Sequence, residues 1–189
     1  MEQPAHTANN DKLTRKQKLK KKLPALGVGA LIIVLMVGLD QWTKWAIVKS
    51  IPLNGMIEVI PGFFELTYLR NFGAAFSSMT GVSMGFFGIL TTVALCVIAY
   101  YFMKTDSTKV EFALSLIAAG ALGNLIDRMT LGYVRDFFRF YIFGSPFAVF
   151  NVADVCLTIG VALLIVIVLV EEWKERKAFN ESSKSSQSK

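Results

Sequence analysis

Four apolar runs constrain this chain more than any other feature, because each is close to the length of a bilayer crossing. A hydrocarbon core takes about 20 residues of helix. The runs are 23–39 (LPALGVGALIIVLMVGL), about 82–103, about 110–126 and about 147–170. In lipid no water is at hand for open backbone groups, so such runs must fold as helices. The chain is 53% hydrophobic over 189 residues, with a mean hydropathy of +0.49, more apolar than a soluble domain of this size. The predicted fold is an all-α polytopic membrane protein with four transmembrane helices. Its parts are a basic tail over 1–22, a membrane domain over 23–171 and a polar tail over 172–189, read as disordered. The domain's helices are expected at about 23–44, 82–103, 110–128 and 147–170.

The net charge of +6 is uneven: residues 11–22, DKLTRKQKLKKK, hold seven Lys or Arg. Directly before an apolar run, such a segment reads as a topology signal rather than a nucleic-acid arm, since Lys and Arg stay cytoplasmic. The first run ends in Asp40-Gln41-Trp42 rather than a small-x-small site, so it reads as an uncleaved helix. Both termini are then expected inside, and connectors 45–81 and 129–146 outside. Arg128, Arg135 and Arg139 fall on the outer side and need local partners. Within the first connector, MIEVIPGFFELTYL (56–69) has two β-leaning runs around Pro61-Gly62, which predicts a small outer-face β-structure. A short helical turn is expected over Gly73–Met79. The second connector is rich in aromatics suited to the headgroup region.

Polar residues from distant parts of the chain converge on one membrane face. Asp40 and Lys44 end the first run, Asn71 lies in the outer connector, and Asn124, Asp127 and Arg128 end the third. Asp136 is in the second connector, and Asn151 and Asp154 open the fourth run. Asn124 and Arg128 are four apart, and Asn151 and Asp154 three apart, so each pair shares a helix face. Asp154 is expected about 10 Å below the outer end of its helix. Each residue also has a plain structural role open to it. Asp40–Lys44 and Asp127–Arg128 could be ion pairs, Asn71 could shape a turn, Asn151 could cap a helix, and Asp136 could be a solvated carboxylate. Asp154 is harder to assign to such a role, because its neighbours are apolar and a carboxylate in a membrane segment is costly.

The only histidine, His6, lies in the N-terminal tail, so a histidine metal site or a Ser/His/Asp triad is not available. Cys96 and Cys156, inside apolar runs and far apart, read as two buried thiols. Two carboxylates are the simplest remaining catalytic set: one takes a proton from water and the other, protonated, polarises a carbonyl. The partner of Asp154 is either Asp127 or Asp136; spacing does not choose.

The blocks DQWTK (40–44), RNFGAAFS (70–77), GALGNLIDR (120–128), VRDFF (134–138) and FNVAD (150–154) together resemble lipoprotein signal peptidase, signal peptidase II, the A8 family of aspartyl peptidases. Order and spacing match from about residue 25 to 170. The resemblance implies a bacterial inner-membrane endopeptidase with four helices and an outer-face β-cradle. It would cut signal peptides from prolipoproteins just before a diacylglyceryl-modified cysteine. It implies Asp136 and Asp154 as the catalytic pair, and Asn71, Asn124, Arg128 and Asn151 as substrate-site residues. Asp40, Lys44, Gly73, Asp127 and Ala153 fall on supporting positions. No metal or cofactor is implied. The expected partners are lipid-modified prolipoproteins and membrane lipids, not nucleic acid, and the expected state is a monomer. Rival readings are a Ser-Lys dyad of Lys44 with Ser77, Ser78 or Ser83, a small ion transporter using Asp154, and a structural scaffold.

Overall fold

The computed structural model describes residues 15–73 and 84–187. The expected turn at Gly73–Met79, apart from Gly73, and Ser77, Ser78 and Ser83 lie outside the described residues. In chain order the elements are α1 (Arg15–Ser50), β1 (Met56–Ile60), β2 (Phe64–Asn71), α2 (Met84–Lys104), α3 (Thr108–Leu131), β3 (Val134–Ile142), β4 (Ser145–Pro146) and α4 (Val152–Gln187). Four helices are long and apolar enough to cross a membrane, as the sequence predicts. Their ends differ from expectation. α1 begins at Arg15 inside the lysine run, and α4 runs on to Gln187 through the tail read as disordered. Lys, Arg and Glu are good helix formers, so a spanning helix propagates through them without an apolar face.

α3 is the centre of the bundle: α1, α2 and α4 all pack on it, and its buried face runs from Ala113 to Asp127. That face is rich in Ala, Gly and Ser, small residues that let helices approach closely in lipid. At Gly120 an added Cβ would stand 2.3 Å from the Ala153 carbonyl oxygen of α4. The outward faces carry the aliphatic side chains, among them Val34 and Leu35 on α1, Val93 and Val97 on α2, and Ile165 and Val166 on α4, all exposed as lipid-facing positions should be. Cys96 is on that exposed surface, whereas Cys156 is buried. The reading of both thiols as buried is therefore corrected for Cys96: an apolar run in a membrane helix faces lipid as readily as protein.

The sheet has the order β1-β2-β3-β4, with every pair antiparallel. β1 and β2 form the hairpin expected around Pro61-Gly62, with Gly62 at φ 68. β3 comes from the second connector, read only as an interfacial aromatic segment. It pairs with β2, Phe64 opposite Phe140 and Leu69 opposite Asp136. The β3–β4 hairpin closes through Phe143 (φ 51) and Gly144 (φ 77), both left-handed, the pattern of a two-residue primed turn. Phe150 then pairs with Phe138, so α4 cannot start before Val152. Asp154 therefore stands in the first turn of α4, not about 10 Å down it. Ile47, Ile51, Tyr68 and Phe137 form a small core that fastens the sheet to the end of α1.

The α3–α4 contact makes a clear prediction. Gly120→Ala should cost about 1–3 kcal/mol through overpacking against backbone. Gly38→Ala, where nothing lies within 4 Å, should cost nothing. Thermal unfolding of both variants in detergent checks the contrast.

Candidate active site

The polar residues gather where the ends of α1 and α3, the start of α4 and strands β2 and β3 meet. At the centre is Lys44, 0% exposed, on the last turns of α1. Its ammonium lies 2.8 Å from Asp40 Oδ2 and 3.4 Å from Asp127 Oδ2, and donates to Asn124 Oδ1 at 3.0 Å. The Asp40–Lys44 pair read from i,i+4 spacing thus forms, but in the interior rather than at a wet helix end. Asp40 Oδ1 accepts the Ala153 N–H at 2.9 Å, so this carboxylate also holds the positive end of the α4 dipole. Gly123 makes room for it, since a Cβ there would meet Asp40 Oδ2 at 2.7 Å.

Asp127 does not pair with Arg128. Its carboxylate takes the Arg135 guanidinium through Nε at 3.1 Å and Nη2 at 2.6 Å, and the Arg135 backbone N–H at 3.0 Å. Arg135 Nη2 also donates to Gln41 Oε1 at 2.9 Å, while Gln41 Nε2 lies 3.1 Å from Asp40 Oδ2, Asp127 Oδ1 and the Gly123 carbonyl. Gln41 and Arg135 were not singled out as site residues from the sequence. Their signal was adjacency, beside Asp40 in DQWTK and Asp136 in VRDFF. Arg139 pairs with Glu65 at 2.6 Å. These are local partners of the kind the sequence reading calls for. Among the described residues Arg128 donates to the Asn124 carbonyl, at 3.4 Å, and faces the Phe87 ring.

Asn151 and Asp154 cap α4 reciprocally. The Asp154 N–H donates to Asn151 Oδ1 at 3.1 Å, and the Asn151 N–H donates to Asp154 Oδ2 at 3.0 Å. This is a capping box with Asn and Asp in its two positions. The cap leaves the Asn151 amide free to turn to Asp136: Nδ2 donates to Asp136 Oδ1 at 2.7 Å and to Asn124 Oδ1 at 3.1 Å. Asn124 Nδ2 donates to Asp154 Oδ1 at 2.8 Å. Asn71 Nδ2 donates to Asp136 Oδ2 at 2.7 Å, and its Oδ1 accepts the Gly73 N–H at 2.8 Å, an Asx turn with Gly73 at φ 96. The three asparagines, Asp136 and Asp154 thus form one connected set tied to Lys44 through Asn124. Asp127 touches the same ammonium at 3.4 Å but spends its hydrogen bonds on Arg135 and Gln41. Among the described residues no three or more His, Cys, Asp or Glu side chains cluster as metal ligands would.

Asp136 is 3% exposed, not a solvated carboxylate. Burial pushes its carboxyl up. The Asn71 amide pulls it back, the Asp154 charge adds to the rise, and Asn151 and Lys44 oppose it. The balance raises it to about 6. A carboxyl poised there can hold or release a proton near neutral pH. Lys44 Nζ is already engaged by Asp40, Asp127 and Asn124, which does not favour its use as the partner of a serine nucleophile.

A sequence profile of signal peptidase (SPase) II matches residues 32–170. The lipoprotein signal peptidases of Staphylococcus aureus strains JH9 and Newman are each 42% identical over 154 residues, covering 80% of this chain and 93% of theirs. Two solved structures described as a bacterial membrane enzyme, obtained by the in meso method, superpose with TM-scores of 0.70 and 0.71 at 43% and 42% identity. The first covers 76% of this chain and 93% of its own, the second 77% and 90%.

The raised carboxyl sets the sign of a pH dependence. Between the ordinary aspartate value and about 6, the folded protein binds a proton at Asp136 that the unfolded chain has lost. Asp136 therefore destabilises the fold progressively as pH rises through that window, by up to about 3 kcal/mol. Asp136→Asn should gain thermal stability relative to the parent between pH 4 and 7 and show no further gain above it. A constant difference across that range would contradict the burial account.

Proposed function

This chain belongs to the signal peptidase II family, and from that premise we propose that it removes signal peptides from diacylglyceryl-modified bacterial prolipoproteins, cutting just before the lipidated cysteine. The chemistry is water attack on the scissile carbonyl, run by Asp136 and Asp154. The observation that carries this reading is the Asn151 bridge. One residue caps α4 with Asp154 and donates its amide to Asp136, so the two carboxylates are positioned by a common part.

The environments of the two suggest their roles. Asp136 is the more deeply buried and its carboxyl is raised, so it is assigned the proton of the resting pair and polarises the carbonyl as acid. Asp154 is half-buried at the mouth of α4 and takes the proton from water. Beyond burial, the Asp154 charge adds to the rise of the Asp136 carboxyl, as a like charge nearby does. Arg128, with guanidinium donors free of any carboxylate within ion-pair distance among the described residues, is assigned to a substrate carbonyl or the tetrahedral oxyanion. Asn71, Asn124 and Asn151 hold the carboxylates in place, while Asp40, Lys44, Gly73, Asp127 and Ala153 support them.

The setting suits such a substrate. A signal peptide is an apolar helix and its diacylglyceryl group stays in lipid, so a site at the end of a membrane bundle meets both without extracting either. Exposed Met56, Ile57, Val59, Ile60, Phe63, Phe143 and Phe147 give the sheet an apolar outer surface beside the site. By the lysine-rich start of α1, the termini are assigned to the cytoplasm and the carboxylates to the outer face of the inner membrane.

Asp136→Asn and Asp154→Asn, each assayed on a diacylglyceryl-modified prolipoprotein in detergent, test the pairing. Both should remain folded and lose roughly 10²- to 10⁴-fold or more in kcat, with KM changed only a few-fold. Full activity in Asp154→Asn would refute the mechanism, and activity in Asp136→Asn with loss in Asp127→Asn would reassign the partner.

A further inference from the structure

The strand that carries Asp136 also carries a row of aromatic rings that water attack does not use. Side chains alternate along a strand, so Asp136, Phe138 and Phe140 stand on one face of β3. At about 3.3 Å per residue, the two rings lie about 7 Å and about 13 Å along the strand from the carboxylate. Phe64, opposite Phe140 on β2, stacks on it with centroids 4.6 Å apart and reaches Phe138 at 6.1 Å. Phe150 joins both, 5.6 Å from Phe138 and 5.8 Å from Phe140. Phe63 and Phe147 finish the row edge-on, 5.6 Å from Phe140 and 6.3 Å from Phe150. Exposure rises along it: Asp136 is buried, the four middle rings are half-buried, and Phe63 and Phe147 are exposed.

These rings offer a ligand hydrocarbon contact and little else. Arg139 and Glu65 alternate onto the other face, where they pair with each other. The backbone is spent as well. The Phe138 N–H donates to the Phe150 carbonyl, the Phe150 N–H donates back to Phe138, and the Phe147 N–H donates to the Phe140 carbonyl. A peptide laid on the rings would bury N–H and C=O groups without partners, which is costly, whereas an acyl chain has none to satisfy. In the substrate class proposed above, the residue after the scissile bond carries two acyl chains, so hydrocarbon begins within one residue of the reacting carbonyl. On the premise that the chain cleaves such substrates, we propose that the phenylalanine row is the subsite for a diacylglyceryl acyl chain. The chain leaves the carboxylates along β3, over Phe138 and Phe140, and passes Phe147 into the surrounding lipid. The signal peptide, a helix whose backbone groups are paired internally, keeps to the side of the bundle. Seating the lipid on the sheet then sets which peptide bond lies between Asp136 and Asp154, so the rings determine specificity for the lipidated cysteine.

The test is cleavage of one lipopeptide sequence carrying either two octanoyl or two palmitoyl chains, in the same micelles, by the full-length parent and its variants. Partition into micelles is common to all the proteins, so a change in the palmitoyl-to-octanoyl ratio of kcat/KM reads the site alone. The parent should favour palmitoyl on the order of tenfold. Phe140→Ala and Phe147→Ala should each cut that ratio several-fold, through KM rather than kcat. Phe147 is at the exposed rim, so its variant carries the test if Phe140→Ala fails to fold. Ile89→Ala, a change on the exposed surface of α2, should keep the parent ratio. A ratio unchanged in both phenylalanine variants would overturn the subsite and leave the cleavage reading intact. An equal loss on both chain lengths would mean that the rings only support the fold, and would overturn it too. A parent that cleaves neither lipopeptide would overturn both readings.

Discussion

One buried ammonium organises the polar end of the helix bundle. Lys44 has no exposed surface, and it stands between two carboxylates, Asp40 and Asp127, and the Asn124 side-chain oxygen. Burying such charges costs several kcal/mol per ion, and removing one partner of a buried set leaves the others uncompensated, at about 3–5 kcal/mol. Its return is geometric. Asp40 reaches from α1 to the first N–H groups of α4, Asp127 reaches from α3 to the start of β3, and Asn124 reaches from α3 to Asp154. Three helices and a strand are thus locked around a single charge, in a medium where the hydrophobic effect does not hold helices together.

The two carboxylates proposed for catalysis are presented by different parts. Asp154 belongs to a helix cap, and its position follows from where α4 begins. Asp136 belongs to a strand, and its position follows from the register of β3 on β2 and from Arg135, the preceding residue, being clamped by Asp127. A carboxylate on a sheet and one on a membrane helix meet only where the sheet is fastened to the bundle. The core of Ile47, Ile51, Tyr68 and Phe137 does that fastening. Placing the sheet and placing the pair are therefore one problem.

Much of this was legible in the sequence, and the reasons are local. Four runs of spanning length leave a chain few choices in lipid, and the hairpin at Pro61-Gly62 follows from turn chemistry. Asp154 stood out because its neighbours offer no solvated face. β3 was missed as a strand: its aromatics fit the headgroup region equally well, although a β-rich run between Gly132 and Gly144 was a readable signal. Helix ends were missed at Arg15 and Gln187 because charged residues propagate a helix that apolar periodicity does not mark. The proposed choice of Asp136 over Asp127 rests on the resemblance to a family. That Arg135 takes Asp127, a contact between residues eight apart across the turn from α3 to β3, has no periodicity to announce it.

The central claim is that Asp136 and Asp154 together act on the scissile carbonyl. The direct measurement is the affinity of a lipidated peptide whose scissile carbonyl is replaced by a tetrahedral secondary alcohol, titrated against the parent, Asp136→Asn and Asp154→Asn. A mimic of the tetrahedral state should bind the parent on the order of 10²-fold or more tighter than the corresponding substrate, and each substitution should abolish that advantage while leaving substrate binding in place. An alcohol that binds all three proteins equally would mean that the two carboxylates do not meet the reacting centre, and the account would fail.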